Sequence, residues 1–210
     1  MRGLIYKELS VFYKSLDKKL LFIMAGVIVF LMYGIGETTG LWASTMFAYV
    51  IAMQNIMSFV VDERAHWKKY QMAMPVNGFV VVVSKYISVV CTLAVSVLGS
   101  LLFNFLSCVV FQRFDPAAWR FSVAIAIAIP LIWAGICLPL TYWFGFQSAQ
   151  IIRIIGIIPI VVLFSYIADT SGLSIVAGSL TPYIFAIFFV LLVFFGISAV
   201  ISIIGYERRK

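Results

Sequence analysis

Six apolar runs of about the length needed to cross a bilayer take up most of this 210-residue chain, and little is left over for a soluble domain. An α-helix rises about 1.5 Å per residue, so roughly 17 to 25 mostly apolar residues cover about 30 Å of hydrocarbon. The runs are residues 20–35, 41–61, 86–111, 121–144, 151–168 and 183–205. A chain that is 64% hydrophobic and 11% charged, with a mean hydropathy of +1.11, is excluded from the water-soluble globular class. The expected fold is therefore all-α: a single polytopic domain over residues 1–210 with six transmembrane helices.

Basic residues near span ends stay on the cytoplasmic side, so their placement gives the orientation. Arg2, Lys7, Lys14, Lys18 and Lys19 precede the first span. Arg64, Lys68, Lys69 and Lys85 fall between the second and third, Arg153 at the fourth loop, and Arg208, Arg209 and Lys210 after the last. The opposite side holds only Arg113 and Arg120, flanking an Asp115-Pro116 turn. Both termini are expected in the cytoplasm. The formal net charge of +7 follows from this bias and from contact with anionic lipid, so it gives no reason to expect nucleic acid.

Residues 1–19 read as an amphipathic elbow helix lying in the cytoplasmic interface. Ile5, Leu9, Phe12 and Leu16 recur at helical spacing, while Lys7, Lys14 and Lys18 fall elsewhere and are expected to reach headgroups. The first outer loop, 36–40, reads GETTG and implies a tight helical hairpin. Within the spans, Gln54, Asn55 and Asn104 need polar partners, which allows two roles: adhesion between helices or the lining of a cargo path. Pro130 and Pro139 in the fourth span and Pro159 in the fifth mark candidate hinges, where neighbours or water must satisfy the freed backbone carbonyls. Cys91, Cys108 and Cys137 lie inside apolar runs without metal-ligand spacing, so neither a metal site nor a disulfide is implied. Residues 169–182 combine an apolar middle with small-residue ends and suggest a re-entrant or gate loop on the outer side.

The one strongly polar interior stretch is 62–85, DERAHWKKYQMAMPVNGFVVVVSK, which contains the only histidine, His66. Asp62, Glu63 and Arg64 end the second span. A short cytoplasmic helix is expected over 65–74, with Trp67, Tyr70 and Met74 on one side and Lys68 and Lys69 beside them. Pro75 should end it, and Asn77-Gly78 should turn the chain into the third span.

This stretch, with DER, Trp67, Lys69-Tyr70 and MPVNGFVVVVSKYI, resembles the signature of ABC-2 type transporter permeases of the small six-span bacterial subfamily. The opening MRGLIYKEL resembles that subfamily's amino terminus. Asp62, Glu63, Pro75, Val76, Ser84, Lys85 and Tyr86 match, while Asn77 and Gly78 stand where relatives carry a Ser-Arg pair. The resemblance implies a permease subunit of an ATP-driven exporter in the bacterial cytoplasmic membrane, paired with a second permease chain, the same or different. Two cytoplasmic ATPase subunits would bind ATP and Mg, and no cofactor would sit in this chain. The coupling segment, 62–78, would seat on the ATPase with Trp67, Tyr70 and Met74 as an apolar anchor and Asp62, Glu63, Arg64, Lys68 and Lys69 as a charged rim. The relatives are mostly exporters of peptides, drugs or lipid-like molecules, and the apolar spans suit an amphipathic or hydrophobic cargo.

The chain itself has no GxxxxGK[ST] phosphate loop, so hydrolysis falls to a partner. An intramembrane hydrolase lacks its paired residues. An ion-coupled carrier would bury ionisable groups near mid-membrane, and the middles of these spans are expected to hold no charged residue. A non-transporting scaffold or immunity protein of the same shape is the remaining rival.

Overall fold

The structure, a computed structural model, describes residues 2–16, 22–23, 26–27, 29, 39–67, 70, 77–112, 114–145 and 183–208. Among these it is all-helical, with five helices: α1 Arg2–Ser15, α2 Thr39–Arg64, α3 Gly78–Phe111, α4 Pro116–Phe144 and α5 Ile184–Arg208. The last four are long and apolar enough to cross a membrane. Positions 22, 23, 26, 27 and 29 of the first expected span are helical. The remainder of that span, the fifth span 151–168 with Pro159, and the loop 169–182 lie outside the described residues.

Local chemistry explains where the helices start. Asp115 is not part of a turn but the N-cap of α4: its side chain accepts from Ala117 N–H at 2.9 Å, and Pro116 takes the first helical position, where a missing N–H costs nothing. Asn77 is likewise an extended N-cap and Gly78 the first residue of α3, so the expected turn there is a helix start. Helix α3 thus begins eight residues before the expected span, and Ser84 and Lys85 lie inside it, buried. Thr39 and Gly40, expected in the first outer loop, are instead buried at the start of α2.

The packing directions follow from paired contacts. Helices α2 and α3 are antiparallel, Ser44 meeting Ser100 at one end and Asp62 meeting Lys85 at the other. Helices α4 and α5 are parallel, since Ser198 meets Gly135 and Trp143 meets Ile201. Parallel neighbours need a connection that returns across the bundle; the residues between them, 146–182, lie outside the described ones. Helix α1 packs where α2 finishes, α3 starts, and α4 and α5 finish.

Lipid tails are as apolar as leucine, so helices in a membrane are held together by close packing and polar contacts. Two of those contacts answer the prolines. Pro130 has no N–H for the Ala126 carbonyl, and Ser96 of α3 donates to that oxygen at 2.8 Å. Pro139 frees the Gly135 carbonyl, and Ser198 of α5 donates to it at 2.6 Å. Because the one Ser198 proton is used there, Tyr86 O–H donates to Ser198 at 2.7 Å, and Ser202 O–H to Tyr86 at 2.8 Å.

Removing a proline should therefore make its serine dispensable. Ser96→Ala is expected to cost about 1 kcal/mol in a detergent-unfolding titration, and clearly less in a Pro130→Ala background, where a new N–H can reach Ala126. Equal costs in the two backgrounds would sever the link between this serine and this proline.

Candidate functional site

The chain's most concentrated chemistry lies at the end where α1 meets the bundle. Lys7 and Glu8 of α1, Asp62 of α2 and Lys85 of α3 close a ring of alternating charge: Lys7 pairs with Glu8 at 3.2 Å and with Asp62, and Lys85 pairs with Glu8 at 3.0 Å and with Asp62 at 3.1 Å. Lys85 gives its third donor to Ser58 at 2.9 Å, which saturates its ammonium. Its charge also lies 4.1 Å from the Phe59 ring centroid. Two cations and two carboxylates leave the ring neutral, the condition under which buried charge is tolerable.

Sequence periodicity places these groups differently. Lys7 is turned into the ring rather than out to headgroups, Asp62 faces inward rather than joining an outer rim, and Lys85 sits seven residues, or about 10 Å, into α3. The spans thus do bury ionisable groups, close to one end. Burial would raise the Glu8 pKa, but the Lys85 and Lys7 ammonium groups, with hydrogen bonds from Lys85 and Ser58, hold it below its ordinary value of 4.5.

Just past the ring the chain turns sharply. Helix α2 ends at Arg64, as expected, and of the helix expected over 65–74 positions 67 and 70 are helical while Ala65 and His66 form a turn: His66 takes the left-handed region at φ 49°, and its N–H reaches the Glu63 carbonyl at 3.1 Å. A non-glycine residue there costs roughly 1–2 kcal/mol, so surrounding contacts must hold it. The turn brings Trp67 back onto α1, with Lys7 Nζ 4.6 Å from its ring centroid. Lys7 thus touches both Trp67 and Asp62. Glu63, Arg64 and Tyr70 are exposed. Lys68, Lys69, Met74 and Pro75 lie outside the described residues.

Aromatic rings close this end. Phe59 of α2 packs on Tyr142 of α4 at 5.6 Å, Tyr142 on Tyr206 of α5 at 5.9 Å, and Tyr206 covers Gly78, where a Cβ would collide with its ring. All five helices meet here.

A family model described as ABC-2 family transporter protein matches residues 3–207. The chain belongs to the ABC-2 transporter family. No curated protein and no solved structure matches it. An ABC-2 membrane component transports rather than catalyses, and the long apolar helices of this one fit a membrane permease.

The three amides of this ABC-2 permease divide by environment. Asn104 is fully engaged: its Nδ2 donates to Ser44 at 3.0 Å and to the Ser100 carbonyl at 2.7 Å, while its Oδ1 accepts from Ser122 at 3.2 Å. It ties α2, α3 and α4 together. Asn55 Oδ1 accepts from Thr92 at 2.8 Å, but its Nδ2, like Gln54 Oε1, is buried with no hydrogen-bonding partner among the described residues. Pro130 and Pro139 both interrupt α4, each with its carbonyl bridged. No cluster of potential metal ligands occurs among the described residues.

Sequence reasoning missed Glu8, Ser58 and the inward roles of Lys7 and Lys85. The available signal was the spacing of Ser58 and Asp62, four apart on the inner turns of α2, opposite a lysine that a longer third helix would bury.

Lys85→Met should leave two carboxylates sharing one ammonium, costing about 3–5 kcal/mol, and should detach α1. Spin labels at the exposed positions of Tyr13 and Phe79 would report the longer distance; an unchanged distance would mean the ring does not hold α1. The Glu8 pKa is depressed in the folded state, so its contribution is complete above the ordinary value and fades as pH falls through the lower one. Docking measured with the same labels should be constant through the neutral range and weaken only in stronger acid.

Proposed function

We propose that this ABC-2 permease is the transmembrane subunit of an ATP-driven exporter, with six spans, both termini cytoplasmic and residues 62–78 as the handle taken by a separate ATPase. The observation that carries this reading is the position of Lys7, which contacts Trp67 on one side and Asp62 on the other. A push on Trp67 would reach α1 through Lys7, and α2 and α3 through the charged ring. Rigid elements joined this way can move together between two states, which is what differential contact with an ATPase would exploit.

The six-span count is supported by the described helices. Helix α1 packs at the end opposite the start of α2, and α4 and α5 are parallel; in this reading each intervening segment crosses the bundle once. Residues 17–38 and 146–182 contain the two further apolar runs. The basic bias of that end supports a cytoplasmic assignment in a bacterial cell membrane.

In this reading Trp67, Tyr70 and Met74 anchor the ATPase and Glu63, Arg64, Lys68 and Lys69 form the charged rim, while Asp62 links that contact to the bundle. Pro75 ends the segment. Two ATPase subunits carry ATP and Mg, and a second permease chain, the same or different, completes the path. Gln54 and Asn55, with unpaired polar atoms, are the candidates to line the path for an amphipathic or hydrophobic cargo; Asn104 is held elsewhere. Residues 1–19 act as the elbow, and 169–182 as the outer gate.

Affinity purification of the chain in mild detergent should recover an ABC ATPase whose turnover falls several-fold on Trp67→Ala with the complex still assembled. Recovery of the chain alone, with no nucleotide hydrolysis in lipid discs, would favour a scaffold, an immunity protein or an ion-coupled carrier. An ATPase recovered but indifferent to Trp67→Ala would move the coupling contact elsewhere.

A further inference from the structure

At the same end of the bundle, α4 and α5 form a cleft that the contacts described above leave open. Pro139, Leu140, Trp143, Phe144 and Ile201 line it, and it encloses about 230 Å³. Phe144 and Ile201 are exposed, so the cleft opens on the outer surface of the bundle. Trp143 is fixed in one orientation. Its Nε1–H donates to the Ile201 carbonyl at 3.0 Å, and Gly205 makes room for the indole, since a Cβ there would overlap it. The ring then lies against the guanidinium of Arg208, 5.1 Å from its centroid. No carboxylate among the described residues pairs with Arg208, and its exposed neighbour Glu207 makes no ion pair with it. Arg209 and Lys210 follow in sequence.

An apolar slot, a tryptophan along its wall and an arginine at the helix end with no carboxylate partner among the described residues form a graded surface of the kind found near a membrane interface. A helix, about 10 Å across with its side chains, is too wide to enter a cleft of about 230 Å³, and an extended protein segment entering the slot would bring backbone N–H and C=O groups to a lining with nothing to satisfy them. An acyl chain brings none. A phosphate at the mouth would meet a planar guanidinium able to make paired hydrogen bonds, and because no carboxylate among the described residues neutralises Arg208, net negative charge on the headgroup would be favoured over a zwitterion.

We infer that this cleft binds one anionic phospholipid of the cytoplasmic leaflet, with an acyl chain between α4 and α5 and the phosphate on Arg208. The site needs no ATPase, so it stands or falls separately from the exporter reading. Bound there, the lipid lies beside Pro139, where α4 is bridged to α5.

Native mass spectrometry of the full chain, titrated with phosphatidylglycerol or with phosphatidylcholine of identical acyl chains, tests it. The first phosphatidylglycerol should be retained about fivefold better, the difference one arginine makes at an anionic surface. Arg208→Gln should erase the preference, Leu140→Trp should fill the slot and weaken both lipids, and Lys14→Gln, an exposed cation on α1, should change neither. Arg208 lies at an exposed helix end outside every interhelical hydrogen bond described above, so its variant should fold whether or not Leu140→Trp does. Equal retention of the two lipids by the unaltered chain, or a preference that survives Arg208→Gln, would overturn the assignment.

Discussion

A buried lysine sets the terms for this end of the molecule. The Lys85 ammonium lies inside a transmembrane-length helix, where an unpaired charge would be prohibitively costly, so Glu8, Asp62 and Ser58 must reach it together. That requirement brings α1, α2 and α3 to one place. Lys7 then balances the second carboxylate and extends the network to Trp67, which the left-handed turn at His66 delivers. The aromatic chain Phe59, Tyr142 and Tyr206 packs beside the ring, with Phe59 against Lys85, and joins α4 and α5 to it.

The rest of the bundle is held by smaller polar contacts of the same logic. With no hydrophobic drive between helices in lipid, each freed carbonyl or buried amide gains by finding a donor or acceptor across the interface. Ser96 and Ser198 answer Pro130 and Pro139, and Asn104 gathers Ser44, Ser100 and Ser122 at the far end. Helices α2 and α3 are thus tied at both ends, by ions at one and by an amide at the other. Between these ties lie Gln54 and Asn55, each with a buried polar atom that has no partner among the described residues.

How much was legible depended on the range of the signal. Apolar length marked α2, α4 and α5 closely, because hydrocarbon thickness acts on a continuous run of residues. It missed the start of α3, since a lysine reads as the edge of a span when its partners are unknown; Glu8 and Lys85 are 77 residues apart. The need for partners at Pro130 and Pro139 was readable from the missing N–H, but not which serines would supply them. The amphipathic pattern of α1 was visible, yet Lys7 looked like a headgroup contact because its spacing says only that it lies off the apolar stripe.

By itself the sequence determined that the chain lives in a membrane as a bundle of helices, that its basic residues gather on one side, and that the stretch beginning at Asp62 is its distinctive polar feature. These properties are local: span length, charge placement and motif order are written consecutively along the chain. Tertiary structure alone decided that Lys7, Glu8, Asp62 and Lys85 form one neutral ring, that Asn104 binds helices together, and that Trp143 stands between an apolar cleft and Arg208. Those outcomes depend on which helix faces meet and at what height, and that is settled by the joint satisfaction of buried charges and carbonyls contributed by segments far apart in the chain.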